Sequence, residues 1–119
     1  MKVIIAGSRN MPASKYRWVA RAIDLSGFDV TEVVCGLARG ADLLGKRWAE
    51  ENGIPVALFP ADWDKYRKAA GPIRNKQMLD YADALIVFIW EGSRGSENML
   101  AQTRKAGKPC FVIRDGKVE

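Results

Sequence analysis

A chain of 119 residues makes one domain, large enough to bury roughly two-thirds of its unfolded-chain surface without a metal or disulfide staple. Its 48% hydrophobic and 28% charged residues are ordinary for a globular protein, and the absence of histidine excludes Ser-His-Asp and Cys-His catalysis and histidine-ligated metal sites; no metal and no cofactor are expected. Nineteen Lys and Arg against fourteen Asp and Glu leave a net +5, a balance that favours anionic partners.

The first strand is predicted at Val3-Ile4-Ile5-Ala6, so close to Met1 that no leader segment is expected, and the expected location is cytoplasmic. A helix follows with its apolar stripe at Val19, Ala22, Ile23 and Ser26. Thr31 to Cys35 reads as the second strand. Ala41, Leu44, Gly45, Trp48 and Ala49 make the buried stripe of the next helix, where Gly45 lets the helix approach the sheet closely. That helix ends at Gly53-Ile54-Pro55, glycine taking the left-handed position and proline preventing continuation. The third strand is Pro55 to Phe59.

Residues 60–71 fit neither pattern. Asp62 to Tyr66 reads as one helical turn in a longer loop, either a lid over a site or a surface loop pinned by Trp63. Pro72 is placed at the first position of a helix whose stripe is Asn75, Met78, Leu79 and Ala82. The fourth strand, Ala84 to Ile89, forms with Trp90 the longest apolar run, far short of the roughly 20 residues that span a bilayer. A last helix stops at Gly107-Lys108-Pro109 in the same way as the earlier one, and Pro109 to Ile113 is the fifth strand. Cys35 and Cys110 fall within strands and read as buried core thiols rather than a disulfide. Continuous apolar strands alternating with helices predict a single α/β domain over residues 1–119. Its sheet is a five-stranded parallel one in the order 3-2-1-4-5, with helices on both faces.

In such a sheet ligands bind beyond the carboxyl ends of the strands. Gly7-Ser8-Arg9-Asn10 follows the first strand, Gly36-Leu37-Ala38-Arg39-Gly40-Ala41-Asp42 the second, and Glu91-Gly92-Ser93-Arg94-Gly95-Ser96-Glu97-Asn98 the fourth. Each combines glycine, arginine and a small hydroxyl or acidic residue. Glycine lets backbone amides approach an anion, a following helix points its positive end at it, and arginine offers a planar fork suited to phosphate. Taken singly, Ser8 and Ser96 suit helix capping, and the arginines suit a solvated surface; three such loops at one sheet edge point to an anion site. Gly71-Pro72-Ile73-Arg74-Asn75 contributes Arg74, and Asn75 as a polar residue on an apolar helix face, where it either caps a neighbouring loop or, the favoured reading beside Arg74, bonds a ligand or holds a ligand loop. No GxGxxG follows the first strand. Gly40 to Arg47 nearly spells a P-loop, but Arg47 stands where Ser or Thr would meet magnesium and Gly45 falls in mid-helix.

These four segments resemble, in order and over nearly the whole chain, the YspA-like, cpYpsA-related branch of the SLOG superfamily, which also includes the LOG-type phosphoribohydrolases and the DprA/Smf proteins. The resemblance implies a Rossmann-like fold and a nucleotide or nucleotide-derived ligand, such as an ADP-ribose-like molecule. Gly36-Leu37 stands where the family often has Gly-Gly. The LOG motif PGGxGTxxE keeps only its phosphate loop here: aligning Gly95-Ser96 on its Gly-Thr puts Met99 at the glutamate, with Glu97 about half a turn away.

The favoured reading is a binding module that senses, carries or sequesters such a ligand. Gly7, Ser8, Arg9, Gly36, Arg39, Gly40 and Gly92 to Ser96 face its phosphate, Asp42 accepts from a ribose, and Trp63 or Tyr66 stacks on a base. The alternative is a hydrolase of an N-glycosidic or phosphoribosyl bond, with Asp42 or Glu97 as the catalytic carboxylate. Single-stranded nucleic acid is a less favoured partner, because its aromatic platforms along a basic groove are not evident. No membrane partner is expected. Trp18 and Trp90 are candidate contacts for a second copy.

Overall fold

Each of the five apolar runs becomes a strand within a residue of its predicted ends, and a sixth strand closes the chain. The computed structural model describes residues 1–119. In chain order they form β1 (Lys2–Gly7), α1 (Arg17–Ser26), β2 (Glu32–Cys35), α2 (Ala41–Glu51), β3 (Val56–Leu58), α3 (Trp63–Tyr66) and α4 (Ala70–Tyr81). The chain continues through β4 (Ala84–Ile89), α5 (Arg94–Lys105), β5 (Cys110–Arg114) and β6 (Lys117–Val118), with short 3-10 turns at Ala13–Lys15 and Arg67–Ala69.

The sheet order is β3-β2-β1-β4-β5-β6. The first five strands are parallel, in the predicted order 3-2-1-4-5. The expected strand number is corrected from five to six, because β6 folds back antiparallel on β5. Its turn is Asp115-Gly116, both left-handed at φ 50° and 82°, the two-residue hairpin geometry that matches strand twist.

Successive β4 side chains divide the core. Ala84, Ile86 and Phe88 pack with Val19, Ala22 and Ile23 of α1 and with Ala41, Leu44 and Ala49 of α2. Leu85, Val87 and Ile89 pack on the other face with Met78 and Leu79 of α4 and with Met99 and Leu100 of α5. Period-2 alternation thus puts one helix pair on each face. The chain winds outward through α1 and α2, crosses over between β3 and β4, and winds the other way through α5. The order therefore reverses between β1 and β4, and a crevice opens there beyond their carboxyl ends.

The repeated helix ends form as expected. Gly53 and Gly107 sit at φ 67° and 73°. The amides of Ile54 and Lys108 donate back to the carbonyls of Ala49 and Thr103, and those of Gly53 and Gly107 to Glu50 and Arg104, which is the Schellman arrangement in both helices. Two placements are corrected. Helix α4 begins at Ala70, so Pro72 is its third residue rather than its first, still in the first turn, where its missing N–H costs no helical hydrogen bond. Cys110 is only partly buried, whereas Cys35 is buried; both thiols are free. No helix is long and apolar enough to cross a membrane.

Gly45 makes the predicted close approach: a Cβ there would stand 2.6 Å from Ile5 Cγ2 in the middle of the sheet. Gly45→Ala gains about 1 kcal/mol of helix propensity. It also forces overpacking against a side chain with no exposed surface, at roughly 1–3 kcal/mol. The expected result is net destabilisation, read as a thermal midpoint lower by several degrees; an unchanged or raised midpoint would show that α2 can slide off the sheet.

Candidate ligand-binding site

The loops after β1, β2 and β4 converge with the 60–71 segment and the start of α4 around a cleft of about 1010 Å³. Its wall carries five cations, Arg9, Arg39, Lys68, Arg74 and Arg94, against the carboxylates of Asp42, Glu91 and Glu97. The predicted site residues line it except Gly36, Gly40 and the alternative stacking residue Tyr66.

Those residues separate into groups that hold the loops and groups left open. Ser8 is buried and clasps β4: its hydroxyl donates to the Trp90 carbonyl at 3.1 Å and accepts from the Trp90 amide at 2.7 Å. It caps no helix. Ser96, also buried, donates to Ser93 Oγ at 3.2 Å, and no side chain caps α5. The capping role expected for both serines is therefore corrected. Gly7 is where β1, β4 and α2 meet: a Cβ would stand 2.2 Å from the Phe88 carbonyl oxygen.

Gly40 does not reach the cleft because it is pressed on the first loop, where a Cβ would lie 2.3 Å from the Ser8 carbonyl oxygen. That same carbonyl accepts the Ala41 amide at 3.3 Å. The amino end of α2 is thus closed by protein. The amino end of α5 has no such closure: it carries no side-chain cap, and Gly92, Ser93 and its first residues Arg94, Gly95 and Ser96 all line the cleft.

Asp42 lies at the junction of two loops, with only 4% of its surface exposed. One carboxylate oxygen accepts from the Gly7 amide at 3.3 Å, the other from the Ala38 amide at 3.4 Å. Burial pushes its carboxyl up to about 6, against the lowering pull of Arg74, the Ala38 and Gly7 amides and Arg9. Beside it the buried Cys35 thiol is pushed up to about 11, chiefly by desolvation.

Arg74 donates to the Gly36 carbonyl at 2.5 Å and to Asn75 Oδ1 at 3.2 Å, and its burial lowers its pKa. A Cβ on Gly36 would meet Arg74 Nη1 at 2.7 Å and Asp42 Oδ2 at 2.8 Å, so both side chains would have to shift. Asn75, buried as expected, donates to Asn98 Oδ1 at 3.0 Å and to the Gly95 carbonyl at 3.4 Å, so it holds the start of α5 from α4. Glu97 pairs with Arg114 of β5 at 3.0 Å.

Arg9, Arg39 and Arg94 form no ion pair and donate no hydrogen bond to protein, and all three are exposed. Arg9 lies 5.9 Å from the centre of the Trp63 ring. Tyr66 does not line the cleft, whereas Trp63 does. Lys68 and Asn98 join it without having been singled out. Asn98 is the last residue of the Glu91–Asn98 segment, but Lys68 carried no signal beyond its charge. Trp18 and Trp90 pack edge-on against each other at 6.3 Å, both half-buried, rather than standing free.

Leu37 (φ 63°), Arg67 (φ 53°) and Glu91 (φ 52°) hold left-handed conformations in the loops after β2, β3 and β4. Such strain collects where surrounding structure over-determines a loop. At Leu37 the positive φ is one that glycine would adopt without strain.

A doubly wound sheet with a basic crevice at its switch point makes this a Rossmann-like domain. The model of the YspA, cpYpsA-related SLOG family (YAcAr) matches residues 1–66, and the chain belongs to that family. The matched part carries the loops after β1 and β2 and ends with α3. Gene 61 protein of Mycobacterium phage D29 is 36% identical over 122 aligned residues, covering 96% of this chain and 97% of that protein. The crystal structure of DNA processing protein A (DprA) from Streptococcus pneumoniae superposes with a TM-score of 0.75 over 94% of this chain at 22% identity, a likeness of fold. This chain spans half of the DprA chain.

Proposed function

We propose that the protein binds a nucleotide or nucleotide-derived phosphorylated ligand in this cleft and acts as a sensing, carrying or sequestering module. The observation that carries this reading is the set of three unpartnered arginines, Arg9, Arg39 and Arg94, gathered with the uncapped amino end of α5 in one concave site. Arginines left without carboxylates beside an uncapped helix start suit a phosphate more than any other common ligand group. Family membership and the DprA-like fold agree with a nucleotide-related role.

The hydrolase alternative needs a carboxylate free to act within hydrogen-bond reach of the bond attacked. Both oxygens of Asp42 accept loop amides, and Glu97 is paired with Arg114. Incubation with nucleoside monophosphates, ADP-ribose or NAD is therefore expected to give binding by calorimetry and no free base or ribose phosphate by chromatography. Release of base that Glu97→Gln or Asp42→Asn abolishes would establish the enzyme instead.

A further inference from the structure

We infer that Trp63 is the platform for the planar ring of the ligand, so that a nucleobase lies at the α3 end of the cleft while its phosphate lies at the α5 end. The inference deepens the nucleotide reading and rests on it. The two ends of the cleft differ in chemistry. At α5 the wall is small and polar, with Ser93, Gly95, Ser96 and Arg94. At α3 a second cavity of about 170 Å³ adjoins the cleft and shares Arg9, Ala38, Trp63 and Arg74 with it. Its remaining wall is apolar except for backbone: Leu37, Pro60 and Ala61 beside Gly36.

Trp63 stands between the two cavities with 48% of its surface exposed, an unusual state for a side chain that is highly buried on average. Its position is nonetheless fixed. Asp62 caps the turn by accepting the Lys65 amide at 3.1 Å, and the indole edge lies against α4, 3.5 Å from where a Cβ on Gly71 would be. The Arg9 guanidinium stands 5.9 Å from the ring centre. A flat ring stacked between them needs roughly 7 Å, twice an ordinary carbon contact. The missing ångström or so is within reach of an exposed arginine with no protein partner. Stacking of a base on an aromatic face, with an arginine over the other side, is tolerant of base identity.

The test is equilibrium titration of wild type, Trp63→Phe and Trp63→Ala with the four nucleoside 5′-monophosphates and with ribose 5-phosphate, which keeps the phosphate and lacks the ring. The expected result is that Trp63→Ala weakens the best nucleotide roughly ten- to hundredfold. It should leave ribose 5-phosphate within a factor of about two, while Trp63→Phe retains most of the nucleotide affinity. Thermal melting of both variants is the control for folding, and each is expected to melt cooperatively near wild type. Equal loss for both probes, or no loss for either, would overturn the assignment of Trp63 while leaving the phosphate reading standing. Absence of binding of any probe to wild type would overturn both.

Discussion

Replacing Arg94 by alanine is expected to weaken binding of a nucleoside phosphate by roughly 1.5–3 kcal/mol, about ten- to 150-fold, which is the worth of a hydrogen bond to a charged group. Arg39→Ala is expected to do the same. Each side chain lines the cleft, and neither is held by a carboxylate, so its fork is free to meet an anion. Exposed residues without partners contribute little to stability, and the unfolding free energies should stay within about 0.5 kcal/mol of wild type. Affinity should also fall with added salt, since the arginines act from a solvent-open cleft. The contrast with Arg74 is part of the expectation: it holds Gly36 and Asn75, so Arg74→Ala should lower stability along with affinity. If Arg39→Ala or Arg94→Ala unfolds the protein while the folded fraction binds as before, that arginine is structural and the phosphate reading loses its main support.

Asp42 carries the second large effect, and its sign is opposite to that of ordinary acid unfolding. Its carboxyl is held at about 6 in the folded protein, above its ordinary 3.8. The folded state therefore binds this proton more tightly than the unfolded chain. Above about pH 6 the buried charge is carried at full cost. As the pH falls through 6 toward 4 the site takes up its proton, and the folded state gains stability from this group, reaching about 3 kcal/mol once the unfolded chain is protonated too. A little under half of that gain is reached by pH 5. Of the groups facing Asp42, the Arg74 guanidinium stays charged in this window and the Cys35 thiol, pushed up to about 11, stays neutral.

Asp42→Ala removes the acceptors of the Gly7 and Ala38 amides, so net destabilisation of roughly 1–3 kcal/mol is expected at neutral pH. The gap to wild type should widen on acidification, as the wild type gains and the variant does not. Comparing the two by urea denaturation at pH 7 and pH 5 cancels the exposed carboxylates Glu51 and Glu119, whose lowered values act in the other direction. A gap that stays constant or narrows would mean that Asp42 is not the buried acid described. Nucleotide binding should fall with stability in the alanine variant, because the loops bearing Arg9 and Arg39 lose their common anchor.

The layers and the strand order were legible in the sequence because a strand buried on both faces is an unbroken apolar run. Val3 to Ala6 and Ala84 to Ile89 could face nowhere but a core on each side. Gly45 was legible for the same local reason: a glycine on a buried helical stripe has little other use than close approach. The site was legible as loops, since Gly7-Ser8-Arg9, Gly36 to Asp42 and Gly92 to Glu97 each carry their chemistry within a few residues. The hairpin signal Asp115-Gly116 was also present, but a two-residue strand has no pattern of its own, and only pairing with β5 defines it.

What each polar side chain bonds to was decided by the tertiary structure. Asp42 meets the amide of Gly7, Glu97 meets Arg114, Ser8 meets Trp90 and Asn75 meets Asn98. The amino end of α2 is closed by the Ser8 carbonyl while that of α5 is left open, although both follow a glycine-arginine loop. Periodicity along the chain tells which way a side chain points relative to its own element. A hydrogen bond depends on which foreign backbone comes within about 3 Å, and that distance is set by how the two helix pairs seat on the twisted sheet.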